Sequence, residues 1–235
     1  MSAHFNSLNQ PVGAPLRDWR PPARPSRDGL VGRFCRLESL DPARHAADLH
    51  EANALDADGR MWTYLPYGPF GNLAEYRAWM EAKWLGDDPL FYAIVDAASG
   101  HAVGVASYLR IDPASGAIEV GHLGFSPPLQ RTPAATEAMA LMMAHVFALG
   151  YRRYEWKCDA LNAPSRAAAV RLGFTFEGIF RQATVVKGRN RDTAWYSMLD
   201  SEWPARQIAF EGWLAPENFD ATGRQRQRLG DFMRT

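Results

Sequence analysis

Asn162, Pro164, Ser165 and Arg166 lie within one short stretch, followed by Leu172-Gly173-Phe174 and then by Glu177-Gly178. An amide and a hydroxyl three residues apart suit a helix start: Asn162 caps it, Pro164 fits its first turn, and Gly173 supplies a left-handed ending. Residues 154–158 read as a strand just before it, so both polar side chains fall beyond that strand's carboxyl end, where α/β sheets place ligands. A second reactive set lies upstream in Ile118-Glu119-Val120-Gly121-His122-Leu123-Gly124-Phe125. A carboxylate and an imidazole are the usual proton-transfer groups, and Glu119 ranks first because a strand histidine is more often packed and hydrogen-bonded. Gly121 and Gly124 predict a bulge or the close approach of a backbone-like group. No metal is expected, since His45 and His50 lack the i, i+4 spacing of a helical zinc pair and no acidic cluster accompanies them.

The elements that must position these groups alternate between strand and helix. Residues 1–29 hold five prolines and several arginines and predict an extended arm, pinned by Trp19. Residues 30–40 read as a first strand, and Asp41-Pro42 starts a helix running to about residue 54. The Pro- and Gly-rich aromatic loop 60–71 leads into a helix over 72–85, with Leu73, Tyr76, Trp79, Met80 and Trp84 at helical spacing. Residues 90–96, 102–111 and 117–125 predict an antiparallel meander, followed by a long helix over 133–149 that Gly150 stops. Two final strands, 174–187 and 192–200, turn at 188–190, and 201–235 reads as a helical or partly ordered tail. The organisation is therefore an arm (1–29), a folded α/β domain (30–200) and a tail (201–235).

Composition narrows the partners. The 235 residues fit one domain with extensions, and 47% hydrophobic residues supply a real core. Lysine plus arginine equals aspartate plus glutamate at 26 each, so general nucleic-acid or membrane binding is not expected. Cys35 and Cys158 fall in strand-like runs without metal or redox spacing, no secretory leader pattern opens the chain, and no apolar run suffices to cross a bilayer, which points to the cytoplasm.

The motif Asn162-x-x-Ser165, its short helix and Gly173-Phe174 resemble the GNAT acyltransferase superfamily, in its RimJ/RimL-type branch. The resemblance covers about residues 30–200 and implies an α/β (α+β) fold, a mixed, mostly antiparallel sheet of about seven strands splayed in the middle and flanked by helices. It implies acetyl-CoA or another acyl-CoA as co-substrate. The strand bearing Leu123, Gly124 and Phe125 would splay from residues 154–158, leaving an edge whose backbone groups match the pantetheine amides. The superfamily loop Q/R-x-x-G-x-G/A corresponds to Gln130-Arg131-Thr132-Pro133-Ala134-Ala135, followed by Thr136, and would cradle the pyrophosphate at a helix N-terminus. Pro133 stands where the central glycine is expected and removes one N–H donor. A first-turn proline is sterically welcome, and Arg131 and Thr132 can offset the loss.

By the same resemblance, Ser165 is a candidate general acid near the thioester sulfur, Asn162 holds cofactor or water, Tyr196 is a second proton donor, and Trp62, Tyr64 and Tyr67 lie on the acceptor side. A carboxylate expected after the E-G pair falls on Thr184, which leaves Glu119, Asp192 or a water chain as the base, or an acceptor that arrives already deprotonated. The implied activity is N-acyl transfer to the amine of a small molecule or a protein N-terminus, by direct attack in a ternary complex. The extensions suit a homodimer. The competing interpretation, motivated by Pro133 and Thr184, is a non-catalytic binding or assembly module on the same fold, with Trp19, Trp203 and Trp213 making protein contacts.

Overall fold

The computed structural model describes residues 4–234. An N-terminal hairpin, β1 (His4–Phe5) and β2 (Pro11–Val12), stands apart from the main sheet. The chain continues through β3 (Leu30–Val31), β4 (Cys35–Ser39), α1 (Pro42–Ala54), a 3₁₀ turn (Arg60–Trp62) and α2 (Leu73–Lys83). The meander β5 (Leu90–Asp96), β6 (Ala102–Asp112) and β7 (Ala117–Phe125) precedes α3 (Pro133–Ala148), β8 (Arg153–Asp159) and α4 (Ala163–Arg171). The hairpin β9 (Thr175–Val186) and β10 (Arg189–Leu199) leads to α5 (Trp203–Leu214) and the short α6 (Leu229–Phe232).

The main sheet has eight strands in the order β3-β4-β5-β6-β7-β8-β10-β9, one more than expected. The extra strand arises because the run 30–40 is not continuous. Glu137 of α3 accepts hydrogen bonds from the N–H groups of Arg33, Phe34 and Cys35 at 2.6–2.8 Å, which folds the run into a β3–β4 hairpin. A Cβ at Gly32 would lie 2.4 Å from that carboxylate, so only glycine admits it. The final hairpin also turns earlier than expected. Lys187 (φ 49°) and Gly188 (φ 73°) form a two-residue turn between paired Val186 and Arg189, the left-handed pair that such turns require.

Helices cover both faces. β5 shows why its sequence is a near-continuous apolar run: Leu90, Tyr92 and Ile94 enter one core cluster with α3 and α5, while Phe91, Ala93 and Val95 enter another with α1, α2 and the aromatic loop. Trp203, Phe210 and Trp213 of α5 join the first cluster. Trp19 packs on the β6–β7 turn, its ring 3.1 Å from where a Cβ of Gly116 would lie, and Arg27 ties the end of the arm to the carbonyls of Leu85 and Gly86. Among the described residues no helix is long and apolar enough to cross a membrane.

Candidate active site

All neighbours in the main sheet are antiparallel except β7 and β8, which run parallel. Their pairing ends at Val120 and Trp156, after which β8 continues against β10 alone, with Lys157 opposite Trp195 and Asp159 opposite Thr193. The two strands therefore diverge, and residues 121–125 of β7 present an edge that β8 does not pair. On the other side of β7 a bulge sets His122 and Leu123 between the pairs Ser107–Gly121 and Val105–Gly124, with His122 at φ 52°. A Cβ at Gly121 or Gly124 would fall 2.9 Å from Leu109 or Val105, so β6 packing demands these glycines; the bulge is present, and no ligand need explain them.

The divergence opens into a cavity of about 470 Å³ whose walls include Glu119, His122, Leu123, Lys157, Cys158, Asn162, Ser165, Thr184 and Arg191. Tyr64 donates from its hydroxyl to the Leu161 carbonyl at 3.2 Å, and Lys187 donates to the Trp62 carbonyl at 2.8 Å. These contacts hold the aromatic loop against the β8–α4 turn and the β9–β10 turn.

Glu119 is buried, and its carboxylate receives Lys157 Nζ and Arg110, each at 2.9 Å. Burial pushes its carboxyl above the usual carboxylate range, and the two cations offset this only in part. Lys157 also meets Glu155 at 2.7 Å and lies 3.6 Å over the Trp195 ring. His122 stacks on Tyr67 and shares a 3.3 Å contact between Nδ1 and the hydroxyl. Burial, then Arg110 and Arg191, bring its imidazole down to about 4, so it is neutral at pH 7. Asp192 is a poor base: the Gln182 N–H and the Asn190 amide donate to it and hold it below the usual range.

Asn162 caps α4 as its sequence demands, accepting from the Ser165 N–H at 3.1 Å. Ser165 Oγ accepts from Trp156 Nε1 at 3.1 Å, and its hydroxyl is also a hydrogen-bond partner of the Cys158 thiol at the cavity wall. At the start of α3, Thr132 caps by accepting from the Ala135 N–H, and Pro133 occupies the first helical position, where an N–H has no intrahelical partner in any case. Arg131 is exposed at φ 61°, and Gln130 pins the loop by donating to the Phe125 carbonyl at 2.7 Å. Of the sequence-predicted cofactor residues, Leu123, Asn162 and Ser165 line the cavity, while Gly124, Phe125 and the 130–136 loop with the first turn of α3 lie outside its walls.

Several expected residues lie elsewhere. Tyr196 is buried in the core and its hydroxyl accepts from Arg166 at 3.2 Å, because β10 alternates and turns Trp195, not Tyr196, toward the cavity. Trp62 is also buried, against Tyr67, Phe70 and Tyr76. Tyr67 reaches the site only through His122, so Tyr64 alone of the three aromatics lines the cavity. Ala134 and Thr136 are buried, and Thr136 is engaged by Arg171 at 2.9 Å. Sequence reasoning missed Arg110, Lys157, Arg191 and Trp195. Lys157 carried a signal, since a lysine in a central strand between Trp156 and Cys158 calls for a buried partner.

A mixed sheet parted between two parallel strands and flanked by helices is the architecture of the N-acetyltransferases to which this chain is similar. The family profile described as an acetyltransferase (GNAT) domain matches residues 36–175, and the chain belongs to that family of N-acetyltransferases, which use acetyl-CoA. Among solved structures it is similar to a GCN5-related N-acetyltransferase from Brucella melitensis, with 49% identity, a TM-score of 0.91, and coverage of 94% of this chain and 100% of the other. A probable GNAT acetyltransferase from Chromobacterium violaceum is 44% identical, with a TM-score of 0.78 over 83% of this chain and 98% of its own. The Microcin C7 self immunity acetyltransferase MccE, solved with acetyl-CoA and AMP, shares the fold at 21% identity and a TM-score of 0.63, over 72% and 93% of the two chains. No curated protein sequence matches.

Proposed function

We propose that this enzyme transfers an acetyl group from acetyl-CoA to a primary amine, of a small molecule or a protein N-terminus, by direct attack in a ternary complex, and that it belongs to the RimJ/RimL-type branch. The observation that carries this is the placement of Glu119 and Ser165 around one cavity where β7 and β8 part. The Asn162-x-x-Ser165 corner with Gly173-Phe174 supports the branch. The free cysteines Cys35 and Cys158 agree with a cytoplasmic setting, and exposed Ile179 and Val185 on the edge strand β9 suit a homodimer contact.

Bound acetyl-CoA would supply a thioester carbonyl, with its pantetheine along residues 123–125 and its phosphates toward Gln130, Arg131, Thr132 and the first turn of α3, near Ala135. Glu119 receives the proton that the attacking amine sheds, directly or through water, and burial favours that proton's acceptance. Ser165 gives its hydroxyl proton to the departing sulfur, while Trp156 fixes the oxygen that gives it up. His122, neutral and braced by Tyr67, shapes the wall between them.

Calorimetry with acetyl-CoA and a thiol-release assay over amine classes test this reading. Micromolar binding and amine-dependent CoA release are expected. No binding at millimolar acetyl-CoA would instead support a binding module that keeps the fold.

A further inference from the structure

Three cations, Arg110, Lys157 and Arg191, face two carboxylates, Glu119 and Asp159, in the cavity wall. Arg110 and Lys157 are both engaged by Glu119, and Asp159 accepts from the Leu161 N–H at 2.9 Å. Arg191 makes no ion pair among the described residues, and its Nε is buried without a hydrogen-bond partner. Leaving a guanidinium donor desolvated and unmatched is costly, and the planar fork matches carboxylates and phosphates alike; with the acetyl-CoA phosphates assigned to the first turn of α3, a carboxylate is the partner left for Arg191. Its position on β10 aims it. Arg191 pairs with Thr184 and Thr193 with Phe180, so three residues of β9 bulge opposite Asp192. The bulge is held by Gln182, at φ 51°, donating its N–H to Asp192 at 2.7 Å. Arg191, Thr193 and Trp195 stand at i, i+2 and i+4 on β10, so strand alternation turns all three toward the cavity, while the bulge on β9 fixes how that strand passes Asp192.

We infer that Arg191 is a specificity-determining residue that receives a carboxylate carried by the acceptor, so that the preferred substrates are amines bearing a carboxylate, such as amino acids or acidic peptides. The inference rests on the acyltransferase reading. Glu119 then serves the amine end and Arg191 the acid end of one molecule.

The test compares free amino acids with their C-terminal amides, by kcat/KM for CoA release and by ligand-detected NMR on the enzyme without acetyl-CoA. Acids are expected to exceed their amides at least tenfold in kcat/KM, chiefly through KM. Arg191→Met should abolish that preference, and Arg191→Lys should restore it in part as a point charge. Equal use of acid and amide by the native enzyme, or a preference unchanged in Arg191→Met, overturns the inference. So does an Arg191-dependent preference for succinyl-CoA over acetyl-CoA with neutral amines, which would put the carboxylate on the acyl donor. Failure to bind acetyl-CoA sinks the acyltransferase reading separately, while the NMR comparison still decides whether the cavity prefers carboxylates.

Discussion

Glu119 and Glu155 stand directly opposite each other on the parallel strands β7 and β8, and Lys157 reconciles them with an ammonium 2.9 Å from one and 2.7 Å from the other. Adjacent like charges on neighbouring strands repel. The bridging lysine, with its side chain only 6% exposed, lets both carboxylates stay in place at the mouth of the gap.

Lys157→Met should therefore act on both stability and chemistry. Breaking a buried pair by removing one partner costs about 3–5 kcal/mol, read as a lowered denaturation midpoint. Glu119 must be ionised to accept a proton, so activity falls as pH drops through its pKa. Losing a cation raises that pKa further, and the acid limb of the kcat/KM profile is expected to move to higher pH. An unmoved limb would remove Glu119 as the base, as would native turnover in Glu119→Gln.

Ser165 and Asn162 should separate cleanly. Ser165→Ala is expected to lower kcat by about 10²-fold or more, the usual scale for a positioned proton donor, with acetyl-CoA affinity nearly retained. Asn162→Ala removes a helix cap worth about 1 kcal/mol, a fall of about 2–4 °C in Tm for a chain of this size, which thermal melts can read. A Ser165→Ala enzyme with native kcat would leave that residue only its bonds to Trp156 and Cys158.

Pro133→Ala returns an N–H to the first turn of α3. If that position faces the pyrophosphate, one hydrogen bond of about 1 kcal/mol tightens acetyl-CoA roughly fivefold by calorimetry. Unchanged affinity would mean that this position does not contribute a phosphate donor.

Glu177 predicts an acid sensitivity. Arg153 clasps it with two hydrogen bonds, at 2.5 and 2.8 Å, and Ser197 adds a third at 2.7 Å. The Arg153 bonds, against a smaller opposing effect of burial, bring its carboxyl down to about 2. A depressed carboxylate contributes stability that is present above its unfolded pKa, near 4.3, and is lost as pH falls toward about 2. Acid titrations followed by circular dichroism should show Glu177→Gln less stable than the native enzyme above pH 5, with the gap closing through that window. A gap independent of pH would assign the loss to packing instead.

Local rules carried much of the site. Asn162 caps and Pro164 begins a helix because short-range hydrogen bonding and a fixed φ do not depend on the rest of the chain, so the Ser165 corner was legible as a motif. Alternation along residues 117–125 likewise placed Glu119 on a strand, and the glycines marked the bulge at His122.

What the sequence by itself determined is the succession of elements, the Asn162–Ser165 corner and the position of Glu119, because propensity, capping and period act over a few residues. Tertiary structure alone decided that β7 and β8 part after Val120 and Trp156, that Lys157 bridges two facing glutamates, and that Tyr196 and Trp62 are core. It also decided that Glu137 breaks the first strand from 103 residues away and that Arg191 enters the cavity unpaired. Each of these depends on which strands become neighbours and on how a buried charge finds its partner, and such long-range pairing leaves no periodic trace in the sequence of either partner.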